Sequence, residues 1–384
     1  MLAQATRHFF IYPSLIIRSS VMITITLAVF MLLTSALVFF EREKPKPATP
    51  VVSLSADTYY MEMLVYAVFV VVAVVLVGTR TPGVDADSLQ YVGVYYTMGS
   101  DRSELMEPSF ALICYIAKLF DDVQVLFFIY ALLAIPLKAF SIFRLSHFKM
   151  LSLMVWVAHF FLLQDMTQIR VAVATAIFLY ALKYLIDGRK IAYLLICLLA
   201  VFFHYSALVL LPLAFFGVKK LNMVWRVLLV VTPLLFYALY FKGMNLVQLL
   251  PLGAFQEKLD TYENLRDKGL AGDEINIFNM LAMFRLLVYY SLLVMYDVVY
   301  ERCHEVTLYL KIYCVSICCY VGLSFLPALA IRGSEVFAVI DVLAIPCMVY
   351  LIRPSWVMKV VLAIFAIGLF FMNIVLSRYV REFV

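Results

Sequence analysis

The chain has 384 residues, of which 65% are hydrophobic and only 14% charged, with a formal net charge of +5. Soluble domains carry roughly 25% charged residues, so this chain lacks the polar groups to cover a water-facing surface and must present much of its exterior to lipid. The positive excess is scattered over loops, with no basic stripe or nucleic-acid motif, which excludes a nucleic-acid partner. The apolar residues fall in runs of about 16 to 24, the length of a helix that crosses about 30 Å of hydrocarbon. They are continuous and do not alternate as membrane strands would.

The first run, residues 19–40, ends in LVFFEREK. It is longer than a signal-peptide core and has no small-residue cleavage site, so it reads as a retained anchor. Further crossings are expected near 61–79, 123–143, 148–163, 168–186, 190–203, 204–218, 224–241, 277–300, 308–329, 334–352 and 355–376. The piece PSFALICYIAKLF at 108–120 is apolar but covers only about 20 Å at 1.5 Å per residue. The fold class is therefore all-α: a polytopic integral membrane helix bundle with about 12 crossings, plus a short re-entrant or interfacial helix near 108–120. The whole of 1–384 reads as a single transmembrane domain, capped by loops 80–107 and 242–276. The seven cysteines lie mostly in or beside apolar runs without paired loop spacing, so neither a disulfide framework nor a zinc site is expected.

Lys and Arg in short loops set the orientation. If 108–120 does not cross, the clusters Arg42/Lys44/Lys46, Arg144/Lys149, Arg189/Lys190, Lys219/Lys220/Arg226, Arg302/Lys311 and Arg353/Lys359 share one side, assigned to the cytoplasm. The opposite short loops hold only Arg80, Arg102, Arg170 and Arg332. Both termini then come out extracytoplasmic, carrying Arg7, Arg18, Arg378 and Arg381. Lys138 and Lys183 fall near cytoplasmic helix ends and are expected to snorkel.

Unusual polar groups collect on the extracytoplasmic side. Loop 80–107 holds Asp85, Asp87, Asp101, Glu104 and Glu107; Gln164, Asp165, Gln168 and Arg170 sit at the mouth of an outward hairpin; His204 tips another; Arg332 and Glu335 mark a third. Within the membrane, Arg285 and Asp341 each lie about 10–12 Å in from the outer end of their helices at 1.5 Å per residue. A lone charge at that depth is costly, so the two are expected to pair, either flooring an outward cavity or bridging helices. Loops are polar wherever they lie, so any one of these residues has a bland explanation; the set is more informative.

A carboxylate beside bound sugar acts as general base on a hydroxyl or stabilises an oxocarbenium-like centre. Guanidinium groups are planar forks suited to phosphate oxygens. A site offering both, open to lipid, suits transfer of a glycan away from a lipid diphosphate. The two carboxylates of DADSLQY do not by themselves indicate a metal; no metal and no cofactor are expected.

Several stretches between about 60 and 350 together resemble the EpsG family of Wzy-type polysaccharide polymerases. They are RTPGVDADSLQY with Asp87 and Tyr91, the Glu-Pro opening of EPSFALICYIAKLF, QIRVAVATAIFLYALKYL, FFHYSALVLLPLAFF and IRGSEVFAVIDVLAIP. Val171 stands after Arg170 where the family has a polar residue, and Gly83-Val84-Asp85 offers a second match for the family aspartate. The resemblance implies joining of undecaprenyl-diphosphate-linked oligosaccharide repeat units at the periplasmic face of a bacterial inner membrane, for O-antigen, capsule or exopolysaccharide. It also implies cooperation with a flippase and a chain-length regulator. On this reading Asp87 or Asp85 and His204 are the candidate bases, and Arg170 and Arg332 hold the diphosphate. Glu107, Tyr91, Gln168, Arg285 and Asp341 shape the substrate site. The rivals are a lipid-linked sugar flippase or transporter, an acyltransferase acting on glycans, and a single-sugar transferase using a lipid-phosphate donor. A flippase would carry polar groups along a path through the membrane, whereas these crowd one face.

Overall fold

The computed structural model describes residues 13–41, 56–98, 107–243 and 275–375. Asp101, Arg102 and Glu104, the connector cluster Arg42/Lys44/Lys46, nearly all of loop 242–276, and the terminal Arg7, Arg378 and Arg381 lie outside the described residues. Among the described residues every regular element is helical. Seven helices are long and apolar enough to cross a membrane, or eight if one bent pair is a single span. The chain is a multi-pass helical membrane protein.

The about 12 crossings expected from hydropathy exceed this number. Each of the twelve segments is helical, but four are too short: Lys190–Phe203, Tyr205–Phe215, Met280–Val294 and Val306–Gly322 run 10–17 residues. The longest of these covers about 26 Å at 1.5 Å per residue, short of the hydrocarbon thickness. His204 is extended (φ −154°, ψ 117°) at the hairpin tip expected there, and the helices on either side of it run only 14 and 11 residues. Met295 ends one helix inside the expected crossing 277–300 before another begins, a backbone break that hydropathy does not register.

Two compact units are formed: residues 1–211 with 352–384, and residues 212–351. The first unit contains α1 (Pro13–Phe40), α2 (Ala56–Gly78), α3 (Ser88–Thr97), α4 (Pro108–Leu119) and α5 (Gln124–Leu145). It continues with α6 (Lys149–Val155), which passes into a π-helix (Trp156–Thr167), then α7 (Ile169–Ile186), α8 (Lys190–Phe203) and, from the chain's end, α15 (Ser355–Val375). The α6–π segment is buried along its whole length and forms the centre. α5 packs on α2 and α7, α7 on α8, and α15 on the π-helix. Ala172, Ala174, Ala176 and Ala181 of α7 are buried, small side chains that let neighbouring membrane helices approach closely.

The short helix α4 returns to the end of the unit from which it starts. At its N-terminus Glu107 bonds to Arg170 and His204, at the first turn of α7 and the end of α8. Just past its C-terminus, Gln124 donates to the carbonyls of Gly78 and Arg80 at the end of α2. Helix starts and ends of opposite direction therefore meet at one end of the bundle, as the non-crossing reading of 108–120 requires. At the far end Lys149 pairs with Glu62, Lys359 donates to the Glu41 carbonyl, and Met150 N–H donates to Glu41 Oε1 at 3.1 Å.

Lys138 does not snorkel. It is fully buried and pairs with Asp165 at 2.9 Å, because it lies on the inward face of α5, with Ala134, Ile135 and Ser141 buried beside it.

The second unit comprises the end of the 3₁₀ segment Tyr205–Phe215, then α9 (Met223–Phe241), α10 (Met280–Val294), α11 (Tyr296–Tyr300), α12 (Val306–Gly322), α13 (Pro327–Ala338) and α14 (Asp341–Cys347). α12 is its axis and packs on α9, α10 and α13. α9 buries only Leu229 and Pro233, an exterior of Val and Leu fit for lipid tails. α13 and the helix beginning at Asp341 meet at 55°.

Candidate active site

In the first unit, residues from α3, α4, α7 and the α8 terminus converge on Glu107. Pro108 opens α4 at the position where a missing N–H costs nothing, and the backbone carbonyl of Glu107 accepts the first helical hydrogen bonds from Phe110 and Ala111. The Glu107 side chain makes no capping bond and reaches outward. One carboxylate oxygen accepts from Arg170 Nη1, and the other bonds His204 Nδ1 at 3.0 Å. The Arg170 guanidinium lies 5.5 Å from the Tyr91 ring centre and 5.4 Å from that of Phe110, a cation–π seat that holds it in place.

Burial raises the Glu107 pKa, but the His204 hydrogen bond and the Arg170 charge outweigh it and hold the carboxyl down at about 2. Glu107 is therefore an ionised, acceptor-only group. His204 must donate Nδ1–H to it, so in the neutral ring Nε2 carries the lone pair. That Nε2 is buried with no hydrogen-bond partner in the protein, as is Arg170 Nε. Burial pushes the Tyr91 hydroxyl up to about 12 against the opposing influence of Arg170, so it stays a neutral phenol.

An unfolded glutamate titrates near roughly 4.3, so the stabilisation from Glu107 is complete above that pH and is lost as pH falls toward 2. Melting of wild type and Glu107→Gln should differ by a constant amount from neutral pH down to about 4.3, with the gap closing at lower pH. A gap independent of pH contradicts this pairing.

Asp85 and Asp87 occupy different environments. Asp85 is fully buried, accepts Arg80 Nε at 2.8 Å, and takes the backbone N–H groups of Asp87 at 3.1 Å and Ser88 at 2.8 Å. Arg80 in turn donates to the Val77 carbonyl and stacks 4.4 Å from the Phe127 ring centre. Gly83 makes the turn possible with φ +100°, a conformation open to glycine, and its N–H donates to Ser88 Oγ at 2.8 Å. Asp85 thus builds the turn that starts α3. Asp87 is only partly buried and stands one helical turn before Tyr91. Asp85→Asn should lower the melting temperature by several degrees, while Asp87→Asn should leave melting unchanged and lower turnover. Equal thermal effects would count against this division.

Gln168 sits at the start of α7, two residues before Arg170, its carbonyl accepting from Ala172 at 3.0 Å. In the second unit Arg285 Nε donates to Asp341 Oδ2 at 2.8 Å, both side chains largely buried, so the expected pair is formed. Arg332 is exposed on α13. The sequence does not single out Phe110, and it marks Arg80 as an outer-loop arginine without indicating its pairing with Asp85. An aromatic three residues after Glu107 and an arginine closing an apolar run were the available signals.

Residues 63–383 match the profile of the EpsG family. The chain belongs to the EpsG family. No curated protein and no solved structure matches it. For an EpsG family member, a family of Wzy-type polymerase-like membrane proteins, a polymerase-like role in membrane polysaccharide biosynthesis follows. Every residue of the Glu107 site lies inside the matched range.

Proposed function

We propose that this EpsG family protein joins undecaprenyl-diphosphate-linked oligosaccharide repeat units, transferring the growing glycan from its lipid diphosphate to a hydroxyl of an incoming unit. The observation that carries the reading is the shared Glu107 carboxylate, which ties a histidine whose buried Nε2 has no hydrogen-bond partner in the protein to an arginine whose Nε is likewise unpaired. His204 Nε2 takes the proton of the acceptor hydroxyl, whose oxygen attacks C1 of the donor's reducing-end sugar. The bond from C1 to the diphosphate oxygen breaks, and undecaprenyl diphosphate leaves as an anion that Arg170 stabilises. Asp87 and Tyr91 orient the acceptor, and Gln168 adds a polar contact. Within the second unit Arg332 is a further proposed phosphate ligand, and the Arg285–Asp341 pair supports the helices of that unit.

The excess of Lys and Arg in the opposite loops supports an extracytoplasmic, periplasmic placement of this site in a bacterial inner membrane, with a flippase supplying the lipid-linked units and a chain-length regulator acting on the product. The test is reconstitution of the purified protein with one synthetic undecaprenyl-diphosphate-linked repeat unit. Glycans of several repeat lengths, with one undecaprenyl diphosphate released per linkage, are expected. Transfer of single sugars from a lipid-monophosphate donor alone would overturn the reading.

A further inference from the structure

Five side chains form a buried polar network inside the first unit. Lys138 Nζ from α5 donates to both Asp165 oxygens, at 2.9 and 3.1 Å, and to Gln164 Oε1 at 3.2 Å. Trp156 Nε1 donates to Asp165 Oδ2 at 2.8 Å, and Thr175 Oγ1 of α7 donates to Gln164 Oε1 at 2.8 Å. Lys138 and Asp165 are both fully buried. We propose that the Lys138–Asp165 ion pair is a positioning device that fixes the register of the π-to-α transition before α7 and so aims Arg170 at Glu107.

Three observations converge on this role. An ion pair withdrawn from solvent is weak evidence for stability, because well-packed apolar residues of the same volume often serve as well or better. Its better-attested use is to specify one register. Second, the pair anchors a π-helix of 12 residues, far longer than the single-turn bulges that are usual and that gather at functional sites. The other end of that helix is braced by Asn373 of α15, which donates to the Ala158 carbonyl at 2.7 Å. Third, the change of winding falls in the anchored stretch. Gln168 N–H still bonds back five residues to Leu163, whereas Ala172 N–H bonds back four to Gln168. One residue of slip there would turn α7 by about 100°, from 3.6 residues per turn, and carry Arg170 away from the Glu107 carboxylate. Thr175 joins the network to α7 five residues after Arg170, so both sides of the arginine are pinned.

This inference rests on Arg170 being a diphosphate ligand, and the experiment separates the two. Binding of undecaprenyl diphosphate in phosphatidylcholine nanodiscs is measured for wild type, Arg170→Ala, Lys138→Arg and the apolar double variant Lys138→Met/Asp165→Leu, with thermal melting beside it. The double variant leaves Trp156 Nε1 without its acceptor and should melt somewhat below wild type, yet it should stay folded and bind at least tenfold more weakly, close to Arg170→Ala, whereas Lys138→Arg retains most of the affinity. A folded double variant that binds like wild type overturns the positioning role. If the double variant does not fold, Thr175→Val provides the reading: weaker binding at unchanged melting supports the role, and wild-type binding removes it. Wild-type binding by Arg170→Ala would instead remove the diphosphate reading itself, and the reason for this inference with it.

Discussion

Arg170→Ala should abolish polymer while single repeat units remain on the lipid carrier. Glycan transfer from a diphosphate develops negative charge on the leaving oxygen, and loss of one preorganised donor at such a centre costs about 10²–10³ in rate. The arginine is seated on Tyr91 and Phe110 and bonded to Glu107, so it loses little further freedom on meeting a phosphate. Its removal leaves Glu107 still bonded to His204, and the fold should survive. Arg170→Lys should rescue poorly, since an ammonium can neither stack nor present a planar fork. Gels of lipid-linked glycan from cells expressing each variant at wild-type level report the outcome. Normal polymer from Arg170→Ala would end its assignment as the diphosphate ligand.

Arg285→Met should destabilise the second unit by about 3–5 kcal/mol, because it strands a buried carboxylate. Asp341 Oδ1 already lacks a hydrogen-bond partner, so the guanidinium is its principal compensation. The double variant Arg285→Met/Asp341→Leu should recover most of that loss, as apolar replacements of both partners do. Melting of both variants in one detergent checks this. A single variant no less stable than the double would show that the pair carries no such penalty. Retained turnover in the refolded double variant would make the pair a helix bridge alone; lost turnover would tie it to the substrate site.

Much of this was legible in the sequence. Run length and composition specify an all-helical membrane protein, and the depth of Arg285 and Asp341 along their helices anticipates their pairing. The gathering of Glu107, Arg170, Tyr91 and His204 follows from alternating helix direction, which brings residues distant in sequence to one end. Other features depend on backbone geometry that hydropathy does not carry. Met295 is itself apolar yet ends a helix inside the expected crossing 277–300, which becomes two short helices. The π-helix turns Asp165 inward although it lies only two residues before the segment's end, and a lysine seven residues from a helix end looks the same to a sequence whether it snorkels or pairs. Asp85 and Asp87 differ by two positions in one loop; the buried Arg80 and the turn N–H groups that Asp85 accepts tell them apart.

The most direct test of the central claim is a gel of surface and lipid-linked glycan from cells lacking this gene, with and without complementation by the wild-type chain. The polymerase account predicts that the ladder of long chains disappears while one-unit glycan still reaches the outer side, and that complementation restores the ladder. Loss of all outward glycan, with lipid-linked units retained on the cytoplasmic side, would contradict it and assign the protein to lipid-linked sugar translocation.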